Sequence, residues 1–468
     1  MKQCWITHNN NKRLIVLFLG WGADEKAFEG LSRPGYDILA LWDYRDESLA
    51  LPTEHYCEVV VIAWSFGVME ASRLLGNNMP SNVTLLLAVN GTEQPVDNNF
   101  GIPKDICEGT LANLSERNLR KFYRRMFTSK EAWDAYSANL PQRNLDELTD
   151  ELRLLYERAQ EPTAHLQWTL AYLSDADAIF PAKNQQNYWS KMQIPYMQIQ
   201  SGHFPDWQAL IDQNVVDKEY VAHRFDTAAD SYDAEAELQC KIALNLWQLT
   251  RENLKQNSLV NVLEIGCGSG MLTHDYLADI TPAELWLWDI SPRHSSLLKG
   301  KYNENLNIHF KQCDAEIELR NIKPDSLDLI ISSSTIQWFH SPGGFLRNAA
   351  KSLRKGGVLA FSTFGPLMCT ELNDAGISTR HYYNAESPVW RTATSDLELI
   401  RCENSILSKR FDTPADVFRH MRRSGVNALR RTPISTTEMR RAIDSYPVDC
   451  YGNATLTFNP LYFIYRKK

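Results

Sequence analysis

Val59-Val60-Val61-Ile62-Ala63-Trp64-Ser65-Phe66-Gly67 is the stretch on which the reading of the first half turns. Four consecutive branched apolar residues suit a strand buried on both faces, and the residues that follow suit a sharp turn into a helix. A serine at such a joint is held above the end of its strand, and small neighbours let strand and helix close up. Glycine is the commoner first small residue; here it is Ala63. Residues 14–19 and 83–89 are similar short, bounded apolar runs, so an α/β architecture with a mostly parallel sheet is expected.

A second strand-to-helix joint begins at Glu264-Ile265-Gly266-Cys267-Gly268-Ser269-Gly270, after Val262-Leu263. Gly266, Gly268 and Gly270 would let the backbone approach a ligand closely. The spacing departs from the dinucleotide pattern G-x-G-x-x-G, and the acid Glu264 in front of it favours S-adenosylmethionine as cofactor. Asp289 ends the next strand candidate, where a carboxylate can accept both ribose hydroxyls. Asp314 and Ala315, in Cys313-Asp314-Ala315-Glu316, are expected beside the adenine. An NAD-binding Rossmann domain is the rival; the acid-first motif, the Lys355-Gly356-Gly357 turn and the strand-rich C-terminal end oppose it.

A chain of 468 residues is too long for one ordinary core. The expected division is 1–212 and 213–468, with a helical insert over about 95–170 in the first part. Strand candidates in the second part are 261–265, 285–289, 308–311, 327–332, 358–363, 456–458 and 461–465, after a helical segment at 220–251. A net charge of −8 disfavours nucleic acid as a partner. Nine cysteines with no C-x-x-C pair give no metal site and suit a reducing cytoplasm. Lys12-Arg13 before a short apolar run superficially resembles a signal peptide, but the run ends at Gly20-Trp21-Gly22 and reads as a buried strand. No stretch approaches the roughly 20 apolar residues of a membrane helix. The sequence leaves the oligomeric state open.

A serine hydroxyl attacks an ester only when a base takes its proton and a third group orients that base. Ser65, then Asp177 in Asp177-Ala178-Ile179-Phe180-Pro181, then His203 in Ser201-Gly202-His203 follow the chain order of an α/β-hydrolase fold. The backbone N–H groups of Trp21 and Phe66 are placed to hold the developing oxyanion. Asp175 is a rival acid and His165 a poorer rival base; the bland alternative makes the three residues a turn, a cap and a loop position. Within the insert, Arg117, Arg120, Lys121, Arg124 and Arg125 recur at helical spacing, opposite apolar residues. A purely basic stripe in an acidic chain suits docking of an acidic carrier protein rather than a merely solvated face.

The Leu-Gly-Trp-Gly loop, the Ala-Trp-Ser-Phe-Gly joint and the His-Phe segment make residues 1–210 resemble the BioG-type pimeloyl-[acyl-carrier protein] methyl ester esterases. That resemblance implies an α/β-hydrolase fold with a helical lid and assigns the triad roles to Ser65, Asp177 and His203. Residues 219–468 resemble the BioC-type malonyl-[acyl-carrier protein] O-methyltransferases. The match runs through Phe225-Asp226-Thr227-Ala228-Ala229, Tyr232, Ser333 to Trp338, and Arg422-Arg423-Ser424-Gly425-Val426-Asn427-Ala428. It implies a class I, Rossmann-like S-adenosylmethionine-dependent fold.

Methyl transfer to an ionised carboxylate needs no base but does need a dry, aromatic pocket, for which Tyr232, Gln337, Trp338 and Phe364 are candidates. The basic segment 409–441, including Arg422 and Arg423, adds a second candidate carrier surface. The expectation is a bifunctional biotin-pathway enzyme acting on acyl carrier protein with malonyl or pimeloyl methyl ester cargo. Alternatives are an esterase joined to a small-metabolite methyltransferase, or a degenerate hydrolase fold that only binds the carrier. The insert is expected to act as a lid selecting the longer acyl chain, since hydrolysis of the malonyl ester would make the cycle futile.

Overall fold

The computed structural model describes every residue except 47–50, 163, 255–259, 299–300, 303–305, 378–381, 392 and 425–434. The 425–428 motif, Arg430 and Arg431 therefore lie outside the described residues. Contacts divide the chain after Val215, into Met1–Val215 and Val216–Lys468; composition put the junction after 212.

The first unit is built on seven strands: β1 (Lys2–Thr7), β2 (Arg13–Phe18), β3 (Tyr36–Trp42), β4 (Glu58–Trp64), β5 (Val83–Val89), β6 (Leu170–Ser174) and β7 (Tyr196–Ile199). Their order across the sheet is β1-β3-β2-β4-β5-β6-β7. Only the edge strand β1 runs antiparallel. All seven residues of β4 are buried, which is why its sequence is continuously apolar from Val59 rather than alternating; Glu58 at its start is paired with Arg13. Ala63 lies in register between Phe18 and Ala88, so a small neighbour accommodates its methyl group.

Between β5 and β6 run four helices, Lys104–Ala112, Glu116–Arg125, Lys130–Ser137 and Leu145–Arg158. Ser115, Ser129 and Asn144 cap the last three by accepting from Asn118, Ala132 and Glu147 N–H; each such cap stabilises its helix by ~1 kcal/mol. The last helix is tied to the sheet by buried polar contacts. Trp21 Nε1 donates to Leu148 O at 2.9 Å, Tyr44 N to Glu151 at 3.0 Å, and Arg158 to both Glu70 and Tyr44 O at 2.9 Å. Behind it, buried Glu93 accepts from Ser72, Leu166 N, Trp168 and Tyr188, with His165 Nδ1 at 2.7 Å.

The second unit has β8 (Asn261–Ile265), β9 (Glu284–Asp289), β10 (Ile308–Gln312), β11 (Leu327–Ser332), β12 (Leu353–Phe364), β13 (Leu397–Asn404), β14 (Leu407–Phe411), β15 (Ala454–Phe458) and β16 (Pro460–Lys467). The main sheet is ordered β10-β9-β8-β11-β12-β16-β13, while β14 and β15 pair apart. β8 to β12 are parallel; β16 is inserted antiparallel between β12 and β13. This is a Rossmann-like arrangement. Strand order reverses at β8, and a crevice outside the carboxyl ends of β8 and β11 is where such sheets take ligands.

Candidate functional sites

In the first unit Ser65 caps the helix Phe66–Leu75 with φ 57 and ψ −125, a conformation rare for a residue with a side chain. The turn is tight because Gly67 packs on the neighbouring strand: a Cβ there would lie 2.3 Å from Phe18 O. His203 Nδ1 lies 2.8 Å from Asp177 Oδ2, and both side chains are buried. The other carboxylate oxygen of Asp177 accepts from Ile179 and Phe180 N–H, each at 2.8 Å. Trp64 Nε1 and Asn90 Nδ2 donate to His203 O at 3.0 and 2.9 Å, which holds the histidine loop against the serine turn.

The rival residues are engaged elsewhere. Asp175 is exposed and accepts from Ser201 N, and His165 belongs to the Glu93 cluster. Trp21 and Phe66 border the same pocket as Ser65, about 460 Å³ in volume. The Phe66 amide is at the first position of its helix, where no intrahelical acceptor exists. Most of the remaining wall comes from the insert, chiefly Ile102, Ile106, Thr110, Phe122 and Leu152, with Arg125; Ala178 and Ile179, next to Asp177, complete it. Arg117, Arg120, Lys121 and Arg125 are exposed, and among the described residues none is paired with a carboxylate. Arg124 turns back to donate to Phe127 O.

In the second unit a cleft of about 720 Å³ opens at the β8–β11 reversal. Gly266, Gly268, Asp289, Asp314, Ala315, Tyr232 and Trp338 all line it. Gly266 has φ +71, and a Cβ would lie 2.0 Å from Thr335 Oγ1, so no other residue fits that turn. Asp289 accepts from Gly268 N and Ser291 N, both at 2.8 Å. Phe225 sits 6.2 Å from Tyr232 and 6.0 Å from Trp338, forming an aromatic wall; burial pushes the Tyr232 phenol well above its usual range.

Four expected residues are not among those lining the cleft. Glu264 is buried and accepts from Thr273 and Tyr276 at 2.6 and 2.8 Å. Gly270 starts the helix Met271–Leu277 with φ 88 and packs beneath Tyr302. Gln337 donates to Ser334 O, and Phe364 packs against Tyr382 and Phe458, because β12 carries it past the cleft into the core. Sequence reasoning missed Lys218 and His294. Lys218, buried in the cleft wall, bridges Asp314 and Glu316 at 2.8 and 2.7 Å. Of the second basic segment, Arg410, Arg419 and Arg423 pair with Asp449, Asp416 and Glu235; Arg422, Arg440 and Arg441 are exposed.

The cleft suits S-adenosylmethionine on its own chemistry. Glycine turns permit close backbone approach, and an acid stands at the end of β9. Buried Trp288 Nε1, His294 Nε2 and Ser334 Oγ have no hydrogen-bond partner among the described residues. Unpaired buried polar atoms are costly unless something meets them.

Comparison with known proteins agrees with this division. A family profile described as pimeloyl-ACP methyl esterase BioG matches residues 1–210, and one described as a methyltransferase domain matches 263–361. A malonyl-[acyl-carrier protein] O-methyltransferase of Bacteroides fragilis (strain 638R) is 31% identical over 473 residues, covering 98% of this chain and 93% of that protein. The malonyl-[acyl-carrier protein] O-methyltransferase of Haemophilus influenzae is 31% identical over 256 residues, covering 54% of this chain and 95% of that protein. The crystal structure of BioG from Haemophilus influenzae is 33% identical, covers 45% of this chain and 99% of that one, and has a TM-score of 0.41. S-adenosylmethionine is the cofactor of the second unit. The chain belongs to the malonyl-[acyl-carrier protein] O-methyltransferase family, in a form that carries a BioG domain ahead of its methyltransferase domain.

Proposed function

We propose that the chain installs and removes one methyl ester on the same carrier-borne acyl chain. The second unit esterifies the free carboxylate of malonyl-[acyl-carrier protein]. The first, an α/β-hydrolase, returns pimeloyl-[acyl-carrier protein] methyl ester to the acid and methanol after elongation by other enzymes. The observation that carries the reading is Ser65 at a positive-φ turn on the wall of a pocket, together with the buried His203–Asp177 pair whose loop Trp64 and Asn90 hold against that turn.

Asp177 accepts from Nδ1–H, so His203 Nε2 is the base that takes the Ser65 proton. Ser65 Oγ attacks the ester carbonyl, and the oxyanion is held by the Trp21 and Phe66 amides. Collapse breaks the bond to the methoxy oxygen, which takes the proton from His203 and leaves as methanol, with the acyl group now on Ser65 Oγ. Water, activated by the same nitrogen, then releases the acid and frees Ser65. The apolar insert wall suits a long acyl chain better than malonyl. The exposed basic helix Glu116–Arg125 is the docking surface for the acidic carrier.

In the second unit the bound cofactor supplies an electrophilic methyl group. Gly266 and Gly268 would let the backbone close on it, Asp289 would receive its ribose, and Asp314 and Ala315 would flank its adenine; all five line the cleft. Tyr232, Trp338 and Phe225 exclude water, and the malonyl carboxylate, ionised near neutrality, attacks without a base. Among the described residues, which include all nine cysteines, no disulfide forms, which suits a reducing cytoplasm. No described helix is long and apolar enough to cross a membrane. The test is incubation with S-adenosylmethionine and malonyl-carrier protein, read by intact mass. A methyl-sized gain is expected; its absence would favour a small-metabolite substrate.

A further inference from the structure

Asp289 is more heavily engaged than a free ribose ligand would be. A carboxylate offers about four lone-pair directions, two on each oxygen. Oδ1 accepts from Ser291 N at 2.8 Å and lies 3.4 Å from His294 Nδ1; Oδ2 accepts from Gly268 N at 2.8 Å. One direction remains, on Oδ2, whereas a vicinal diol presents two hydroxyl donors.

His294 supplies what is missing. It is 3% exposed, lines the same cleft, and its ring is 6.4 Å from that of Tyr232. Because a carboxylate oxygen only accepts, Nδ1 carries the proton of the neutral ring, and Nε2 is left with a lone pair. Nε2 is buried and has no hydrogen-bond partner among the described residues. A buried acceptor without a donor stands beside a carboxylate with room for one hydroxyl.

We infer that His294 and Asp289 divide the recognition of the cofactor's ribose, Asp289 Oδ2 accepting from one hydroxyl and His294 Nε2 from the other. The inference deepens the assignment of this cleft to the cofactor and rests on it. His294 is thereby a binding residue as well as a support for Asp289, through the contact at Nδ1. The support role alone would weaken all ligands equally; the binding role distinguishes one hydroxyl from the other.

The test is calorimetric binding of S-adenosylhomocysteine, and of its 2′-deoxy and 3′-deoxy analogues, to the full chain. His294→Leu is expected to bind the parent ligand about tenfold more weakly, the value of one buried hydrogen bond. His294→Gln, whose amide oxygen reaches near the Nε2 position, should recover part of that loss and guards against a folding defect in the leucine variant. Against one of the two deoxy analogues the His294→Leu deficit should shrink to the part owed to support of Asp289, while against the other it should stay at its full size. An equal deficit for all three ligands, or none for any, would overturn the shared recognition. If Asp289→Ala leaves parent binding unchanged, the cleft assignment itself falls, and the inference with it.

Discussion

Glu264 leads the glycine loop, yet its carboxylate is turned into the core, where Thr273 and Tyr276 donate to it. Burial pushes its pKa from 4.5 up to about 7, against the opposing pull of those two hydrogen bonds. The folded chain thus keeps a proton that the unfolded chain has released. Stability therefore falls as pH rises from about 4.5 to about 7, and stays lower above that. Glu264→Gln keeps an acceptor for both donors and removes the penalty. It should raise the melting temperature near pH 8, by roughly 1–3 kcal/mol of stability, and leave it unchanged near pH 4.5. A thermal melt of the variant that matches wild type near pH 8 would count against this account. Lys218 shows why some site residues could not be read. It looks like part of a polar connector, and its acids Asp314 and Glu316 lie almost a hundred positions away in a segment whose distance no pattern reveals.

Among the elements, the strands easiest to read were those buried on both faces. β2, β4 and β5 are near-continuous apolar runs bounded by polar residues. β1, β13 and β14 passed unread because they are partly exposed and interspersed with charges; β3 passed unread too, although all seven of its residues are buried, because Asp37 interrupts its apolar run. β6 starts where the expected insert ends and passed unread; it is short, and only its burial marks it. The 358–363 strand proved to begin at Leu353, running through the Gly356-Gly357 turn.

The helix Glu116–Arg125 invites a charge test. Reversing Arg117, Arg120 and Lys121 to Glu together should raise KM for a carrier-borne methyl ester by about tenfold or more, with kcat and hydrolysis of a small soluble ester little changed. Equal loss on both substrates would point to a damaged pocket instead. The lid reading makes a separate prediction. Ile106→Ala with Phe122→Ala should narrow the preference for the longer acyl chain, since each methylene buried against that wall contributes ~0.8 kcal/mol, about fourfold in rate. Comparable rates for malonyl and pimeloyl esters in wild type would remove the lid argument.

For the whole molecule, length and two unlike joints were enough to indicate two units. The stop at Val215 was not legible. The end of the unit is tied down by Arg33, far back in the sequence, which bonds Asp212 and the Val215 carbonyl. Because Ser65 and Asp289 belong to separate compact units, their variants should separate the two activities. Ser65→Ala should lower ester hydrolysis by ~10³-fold or more while methyl transfer persists, and Asp289→Ala should do the reverse. Parallel assays on each full-length variant decide the point; joint loss in either would show that one substitution had disturbed both halves.

The place of β16 also governs the order in which the second sheet can assemble. Among the described strands β13 pairs with β16 alone, so Leu397–Asn404 has no ladder to join until Pro460–Lys467 has docked beside β12. Closing a chain segment that long precedes the contacts that reward it, and such pairings slow folding. In a refolding experiment followed by pulsed hydrogen exchange, amides of β8 and β11 should gain protection early and those of β13 late. The slow species would expose the flank of β12 as an unpaired edge, the point from which this chain is most prone to misassemble at high concentration.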